Sequence, residues 1–241
     1  MNDLGAAFGA ALHLIVTADP DLMEIVGLSL RVSLSAVACA ALLGLPLGGV
    51  LAVTRFPGRG AVLVLLNAFM GLPPVVAGLL IYLLLSRAGP LGDWGLLFTP
   101  TAMIIAQTVL VTPIVAALAR QTLEDLHAEY DEQLRSLGIG RAGTVATLLW
   151  DGRHSLLTAL LAGFGRAVAE VGAVMIVGGN INHVTRVMTT AIALETARGD
   201  LPLALGLGLI LMSLAVLVNA LAMSLRRRGG DGAMALPGGR P

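Results

Sequence analysis

The chain has 241 residues, of which 56% are hydrophobic and 12% are charged, and its formal net charge is zero. A soluble domain carries about twice that charged fraction, so the composition indicates an integral membrane protein. All fifteen basic residues are arginine, which excludes a P-loop with its phosphate-binding lysine, and the neutral balance gives no indication of a nucleic-acid partner. The single cysteine, Cys39, excludes an intrachain disulfide and a cysteine metal cluster.

The first predicted element is a short amphipathic helix near the N-terminus. Leu4, Phe8 and Ile15 fall on one side of it, and the sequence Asp19-Pro20-Asp21 ends it. Because it is too short to cross a bilayer, we predict an interfacial segment over residues 1–21, with a frayed terminus as the alternative. The same residues lack a basic n-region, so no signal peptide is expected.

Five longer apolar segments follow, each near or above the roughly 20 residues that a helix needs to cross a bilayer. Pro73 and Pro74 remove two backbone donors within the second segment, so that helix must kink or break. Arg226 to Arg228 are expected to stop the fifth segment and to leave a disordered tail over residues 229–241. The prediction is an all-α integral membrane fold with a transmembrane domain over residues 22–228. The predicted spans are residues 25–53, 61–85, 101–119, 156–177 and 202–225.

The longest polar interval, Arg120 to His154, lies between the third and fourth spans and holds ten of the thirty formal charges. We call it the elbow, because its pattern predicts a helix, a turn at Gly138 and Gly140, and a second helix. The first helix carries an apolar stripe surrounded by charge. Such an amphipathic elbow is suited to docking a partner, although a solvated loop that merely joins two spans has the same pattern. The stripe consists of Leu123, Leu126, Tyr130, Leu134 and Leu137.

Polar side chains within the spans are the candidate lining of a transport path. Arg166 and Glu170 are four residues apart and can pair within the fourth helix. A charged pair in a bilayer is costly and faces protein or water, so it either lines a path or forms a buried structural ion pair. Thr108 and Thr112 either face the path or form hydrogen bonds between helices. Asn180, after the glycines that end the fourth span, is a further neutral donor.

Arginine counting predicts the orientation of the chain. With five spans, the Arg55–Arg59 turn, the elbow and the C-terminal tail share one side, which carries ten arginines, whereas the other side carries three. The arginine-rich side is therefore expected to be cytoplasmic. The N-terminus and the loop over residues 181–201, with a short helix over residues 187–197, are expected outside.

The elbow resembles a loop in the permease subunits of ATP-binding cassette importers, which carry the pattern Glu-Ala-Ala-x-x-x-Gly. The register here places Glu132 at the glutamate and Gly138 at the glycine, while the two alanines are replaced by Gln133 and Leu134. Further stretches, over residues 72–78, 99–107, 160–180 and 185–195, resemble the tungstate importer permeases. The resemblance covers about residues 25–225, and the related molybdate permeases have a looser version of the fourth-span stretch.

The resemblance implies a type I importer permease, a pore subunit rather than an enzyme, in the cell membrane. Two copies would form the pore, and two separate ATPase subunits would dock on the elbows and hold the ATP, so this chain would bind no cofactor. A soluble extracytoplasmic binding protein would deliver an oxyanion, with tungstate as the first choice and molybdate or sulfate as the alternatives. The expected ATPase contact consists of Glu132, Arg135, Leu137 and Gly138. The expected path consists of Arg166, Glu170, Thr108, Thr112 and Asn180.

Two other classes of function stay open at this point. A self-sufficient secondary transporter commonly has broken helices in both halves, but the sequence has one Pro-Pro break and no matching copy. An intramembrane enzyme needs a nucleophile, a base or a metal set, and the four histidines lie outside the spans without clustering. Five spans are few to enclose a path alone, which favours a symmetric dimer. The histidines are His13, His127, His154 and His183.

Overall fold

The structure is a computed structural model that describes the backbone of residues 2–231 and the side chains of residues 5–224, and every regular element in that part of the chain is helical. A short 3-10 turn at Gly92–Trp94 lies in the loop before the long fifth helix. The helices are α1 (Asn2–Val16), α2 (Pro20–Val53), α3 (Arg59–Met70), α4 (Pro74–Leu85), α5 (Pro100–Ser136), α6 (Arg141–Asp151), α7 (Arg153–Val168), α8 (Gly172–Gly178), α9 (Met188–Arg198) and α10 (Leu201–Asp231).

Three helices within the described residues are long and apolar enough to cross a membrane, namely α2, α5 and α10. Two bent pairs also qualify together: α3 with α4, bent by 100°, and α7 with α8, bent by 60°. Counting each pair as one span gives the five predicted spans, so the all-α membrane fold is confirmed. The break predicted at Pro73 and Pro74 is confirmed as well, because α3 ends at Met70 and α4 begins at Pro74.

The N-terminal helix α1 packs along α10, and this contact buries Ala7 and Ala11. In the turn after it, Ala18 has a φ of +50°. Asp19 then begins α2, because its carboxylate accepts hydrogen bonds from the backbone N–H groups of Asp21 and Leu22. Helix α1 is therefore held by α10 at Ala7 and Ala11, while the location of α1 at the membrane interface stays a prediction.

The central packing unit is the pair α2 and α5, which lie against each other along much of their lengths. Close approach depends on Gly44 and Gly48, one turn apart on α2. A Cβ atom at Gly48 would lie 2.7 Å from the carbonyl oxygen of Ala116 and 2.8 Å from the Cβ of Ala119. The backbones of these helices can meet only because this position has no side chain.

We therefore expect Gly48→Ala to lower the free energy of unfolding by about 1–3 kcal/mol, because the added methyl group overpacks against backbone. The matched control is Gly27→Ala in the same helix, where a Cβ meets nothing within 4 Å. Thermal unfolding of the purified variants in one detergent measures the difference. Equal melting temperatures for the two variants would contradict the close packing of α2 on α5.

Two predictions about the helices are wrong, namely the unbroken fourth helix and the start of the disordered tail. The fourth span is not one continuous helix, because α7 ends at Val168 and α8 begins at Gly172. The arginines after residue 225 do not end the helix, because α10 continues to Asp231, although its candidate span is Leu201–Ser224. The predicted disordered tail thus overlaps helix over residues 229–231, and its remaining residues, 232–241, lie outside the described residues. The third span and the first elbow helix, predicted separately, form the single helix α5, so the end of the span near Ala119 stays a prediction.

Candidate functional site

The elbow is a helical hairpin built from the second half of α5 and from α6, as the sequence predicts. Gly138 makes the turn with a φ of +68°, a left-handed conformation that glycine adopts without strain. The backbone N–H of Ile139 donates to the carbonyl oxygen of Leu134 and closes the end of the first helix. The apolar stripe packs as expected at Leu123 and Leu134, which are buried against Leu148 of α6.

The four residues predicted to contact an ATPase share one property, which is exposure to solvent. Glu132, Arg135 and Gly138 are exposed, and Leu137 departs from the buried stripe with 75% of its surface accessible. Arg135 is held by Asp131, one turn earlier on the same helix, at 2.8 Å. A large apolar side chain at the tip of a charged hairpin is suited to contact with another protein.

The turn between α2 and α3 is anchored to the elbow helix by a carboxylate. Glu124 accepts a hydrogen bond from the Arg59 guanidinium, and Arg120 donates to its other oxygen at 2.5 Å. Arg59 also donates through Nε to the carbonyl oxygen of Leu51 at the end of α2. This network was not predicted. The spacing of Arg120 and Glu124 indicates an ion pair, but nothing in the sequence joins either residue to Arg59, 65 positions from Glu124.

Arg166 and Glu170 form an ion pair, but across the end of α7 rather than within a helix, which corrects the predicted geometry. One carboxylate oxygen of Glu170 accepts from Arg166, and the other accepts from the backbone N–H of Ala173 at 3.1 Å. The Glu170 side chain is 3% exposed, whereas that of Arg166 is 35% exposed. The carboxylate therefore fixes the α7–α8 break, and the guanidinium faces outward from the fold.

The backbone at this break is held from a third helix. Thr189 of α9 donates its hydroxyl hydrogen to the carbonyl oxygen of Glu170 at 2.7 Å. The Gln107 amide nitrogen of α5 donates to the carbonyl oxygen of Ala167 at 3.0 Å, and its buried carbonyl oxygen has no partner. These two residues line a cavity of about 10 Å³, which is large enough for one water molecule. The break is thus a polar junction inside an apolar core.

The neutral donors predicted for the path use their hydrogen atoms within the chain. The hydroxyl of Thr108 donates to Ile104 of its own helix at 2.7 Å and lies 3.4 Å from the carbonyl oxygen of Ala36 on α2. Thr112 likewise donates to the carbonyl oxygen of Thr108. Asn180, at a φ of +50°, donates to the carbonyl oxygen of Thr190 at 3.4 Å. Their oxygen atoms keep acceptor capacity, so their role in a path stays a prediction.

The loop between α8 and α9 is tied to α2 by a contact between His183 and Glu24, which becomes an ion pair when the imidazole is protonated. His183 Nδ1 lies 2.8 Å from the Glu24 carboxylate, and the residue has a φ of +57°. Its ring, Asp21 and Glu24 also form one group of three potential metal ligands among the described residues, with ligand atoms within 4.8 Å of one another. All three are exposed, and no other feature of the group indicates a metal. The predicted helix in this loop is confirmed as α9, shifted by one residue.

The pKa of His183 is raised above its usual value, because Glu24 accepts its hydrogen bond and stabilises the imidazolium. The negative charge of Asp21 acts in the same direction, while burial and the charge of Arg186 oppose it. A raised pKa means that the contribution of this pair is complete below the unfolded pKa of about 6.5 and is lost as the pH rises through the folded pKa.

We expect an NMR titration of the His183 ring to give a pKa above about 6.5 in the native chain and a lower value in Glu24→Gln. Asp93→Gln, at an exposed carboxylate in a different loop, serves as the control and leaves the titration unchanged. An identical His183 titration in the native chain and in Glu24→Gln would contradict the ion pair.

The profile of a family described as "Binding-protein-dependent transport system inner membrane component" matches residues 44–228. The chain is 39% identical to the tungstate uptake system permease protein TupB of Peptoclostridium acidaminophilum, with 94% of this chain and 99% of the relative covered. It is 36% identical to the TupB protein of Campylobacter jejuni, with 91% and 92% covered.

A third relative has a less specific name. The chain is 39% identical to a protein of Haloferax volcanii named as a probable anion ABC transporter permease, over 86% of this chain and 91% of the relative. The resemblance drawn from the elbow and the fourth span is therefore confirmed.

Proposed function

The chain belongs to the family of inner membrane components of binding-protein-dependent transport systems, the ABC permeases, and on that premise we propose that it is the pore subunit of an ATP-driven tungstate importer. The family and the apolar helices make it a multi-pass membrane protein and a transporter permease rather than an enzyme. The proposal adds the substrate, the source of energy and the partners.

The elbow is the observation that carries the proposed mechanism. Its tip presents Leu137, Glu132 and Arg135 to solvent around a glycine turn, which gives a partner protein both an apolar anchor and charged contacts. The chain has no lysine and so no P-loop of its own. A separate ATPase subunit on each elbow supplies the hydrolysis, and closure of the two ATPases draws the elbows together and turns the pore outward.

The second proposed partner is another copy of the chain. Arg166 is 35% exposed in the single chain although it lies in a membrane-spanning segment, and a guanidinium there requires a protein or aqueous neighbour. A dimer interface with a central wet path meets that requirement, and Arg166 then offers the path a positive charge for an oxyanion. Glu170, Thr108, Thr112 and Asn180 are proposed as its polar surroundings, with no resident metal or cofactor.

The substrate proposal rests on the relatives, two of which are named for tungstate uptake. Molybdate and sulfate are the alternatives, since these dianions share charge and tetrahedral shape with tungstate. An extracytoplasmic binding protein is proposed to make the selection. The test is ATP-dependent uptake of tungstate with molybdate or sulfate as competitor. Weak competition by both molybdate and sulfate supports tungstate as the substrate. If either anion competes strongly, that anion is the better candidate for the substrate.

The proposed orientation places the elbow and the C-terminus in the cytoplasm, and the N-terminus and the α8–α9 loop outside. It follows from the arginine distribution and from counting each bent pair as one span. In a Cys39→Ser background, Ser136→Cys in the elbow and Asn182→Cys in the loop provide two exposed labelling positions. A membrane-impermeant reagent applied outside intact cells should label only the second, and labelling of the first would reverse the orientation.

A further inference from the structure

We propose that a cleft between the Arg55–Arg59 turn and the elbow binds a tetrahedral oxyanion, and the choice of ligand rests on the proposed function. The cleft has a volume of about 740 Å³, within the range of small-molecule sites. Its walls come from the end of α2, the turn, the second half of α5 and the start of α6. The cleft lies beside the exposed elbow tip and shares Arg135 with the proposed ATPase contact.

The charged lining of the cleft is predominantly cationic. Four arginines and two carboxylates face it, so the lining has a surplus of two positive charges, although the chain as a whole is neutral. A concave surface with charge of one sign concentrates counter-ions from solution. The charged lining consists of Arg55, Arg59, Arg135, Arg141, Glu124 and Asp131.

The two carboxylates are already occupied within the fold. Glu124 is bound by Arg59 and by Arg120, and Asp131 is bound by Arg135 at 2.8 Å. Arg55 and Arg141 have no carboxylate within 4.0 Å among the described residues. These two guanidinium groups are therefore the source of the positive surplus, and each can form paired hydrogen bonds with an oxyanion.

A further side chain in the cleft lacks a hydrogen-bond partner. His127 Nδ1 is buried without one, while Nε2 of the same ring lies 3.7 Å from the Asp131 carboxylate. Nδ1 is closed off from solvent, so the contribution of His127 to the cleft is through the ring edge that carries Nε2.

The two unpaired arginines belong to different elements, so an anion bound by both would connect those elements. Arg55 belongs to the turn after α2, and Arg141 is the first residue of α6 in the elbow. An oxyanion bound by both side chains joins the turn to the elbow. The proposed orientation exposes this site to the side where transported oxyanion is released, so its occupancy follows the internal oxyanion concentration.

The experiment is equilibrium binding of radiolabelled tungstate to the purified full-length chain in nanodiscs of neutral phosphatidylcholine, without ATPase or binding protein. Saturable binding of one anion per chain is expected, with competition by sulfate and phosphate and a strong dependence on salt. Arg55→Gln and Arg141→Gln should each weaken binding roughly fivefold to tenfold, whereas Arg87→Gln, an exposed arginine in another loop, should change it less than twofold. Size-exclusion profiles check that all variants are folded.

Two results would overturn the site. One is the absence of saturable binding in the native chain, and the other is equal binding in the native chain and in both cleft variants.

A second arm of the experiment uses nanodiscs with phosphatidylglycerol. If tungstate does not bind but phosphatidylglycerol copurifies with the chain only when Arg55 and Arg141 are present, the phosphate of a lipid is the ligand and the free oxyanion is excluded. The binding assay uses no ATP and is therefore independent of transport. If the native chain shows no saturable binding but the complete transporter takes up tungstate normally, only the cleft site is refuted. If the chain binds tungstate in the cleft but the complete transporter takes up none, only the transport proposal is refuted.

Discussion

Gly138→Glu is expected to abolish binding-protein-stimulated ATP hydrolysis by the assembled transporter while leaving membrane insertion of this chain intact. The residue has a φ of +68° and lies at the tip of the elbow beside the exposed Leu137. A Cβ there meets nothing within 4 Å inside the chain, so the substitution causes no internal clash. Its cost to folding is the left-handed conformation alone, about 1–2 kcal/mol. We expect a loss of stimulated hydrolysis of at least about tenfold, since the new side chain and charge lie where the partner docks.

The matched control is Gly199→Glu, which makes the same substitution at another left-handed glycine with open space around it. Gly199 has a φ of +84° and follows α9, away from the elbow. Both variants therefore carry similar backbone strain, but only Gly138→Glu places a side chain at the proposed ATPase contact. Hydrolysis is measured with the complete transporter in vesicles. Normal stimulation in Gly138→Glu would remove the elbow tip from the mechanism.

Glu170→Ala is expected to produce the largest loss of stability among single substitutions at the candidate site. The change leaves the N–H of Ala173 without its acceptor and Arg166 without its carboxylate at the α7–α8 break. Removing one partner of a buried ion pair costs about 3–5 kcal/mol, and the exposure of Arg166 places this pair near the lower limit. The expected fall in melting temperature is roughly 6 °C or more, followed by intrinsic fluorescence in detergent.

Glu170→Gln distinguishes the two roles of this carboxylate, because the amide oxygen can still accept from Ala173 while the charge is lost. We expect it to retain more stability than Glu170→Ala. The double variant Arg166→Gln with Glu170→Gln then tests transport without either charge. Normal transport by the double variant makes the pair structural, whereas folded but inactive protein supports a role for Arg166 in the path. A melting temperature of Glu170→Ala equal to that of the native chain would contradict the proposed junction.

The parts of the fold that the sequence predicted are those that local chemistry determines. Pro73 and Pro74 lack backbone donors, so the break in the second span is present in the sequence itself. Gly138 predicts the elbow turn, because glycine adopts the left-handed φ of this position without strain. The apolar periodicity of Leu123 and Leu134 gave the buried face of the elbow correctly.

The α7–α8 break could not be predicted, because its causes come from distant segments. No proline lies between Val168 and Gly172, so the local sequence carries no proline signal for a break. A Cβ at Gly172 would lie 2.8 Å from Val75 Cγ2, so α4 packs directly against the start of α8. Thr189 binds the Glu170 carbonyl from the other side. These contacts join residues that are 19 to 97 positions apart, and no local pattern identifies them.

The candidate site likewise has features that the sequence predicted and features that depend on distant contacts. Exposure of Glu132, Arg135 and Gly138 follows from their place on the polar side of an amphipathic hairpin. Leu137 was expected on the apolar stripe, but the helix ends at Ser136, and its side chain leaves the packed face. The surplus charge at Arg55 and Arg141 emerges only in three dimensions, because the turn and α6 are about 80 residues apart in the chain.

The most direct test is tungstate accumulation by vesicles that contain the purified chain, with each partner omitted in turn. The account predicts accumulation only when ATP, the ATPase subunit and the extracytoplasmic binding protein are all present. Vesicles that contain this chain alone would then equilibrate slowly or not at all. Accumulation against a gradient without a nucleotide-hydrolysing subunit would contradict the account, because the driving force would then have to arise within the chain itself.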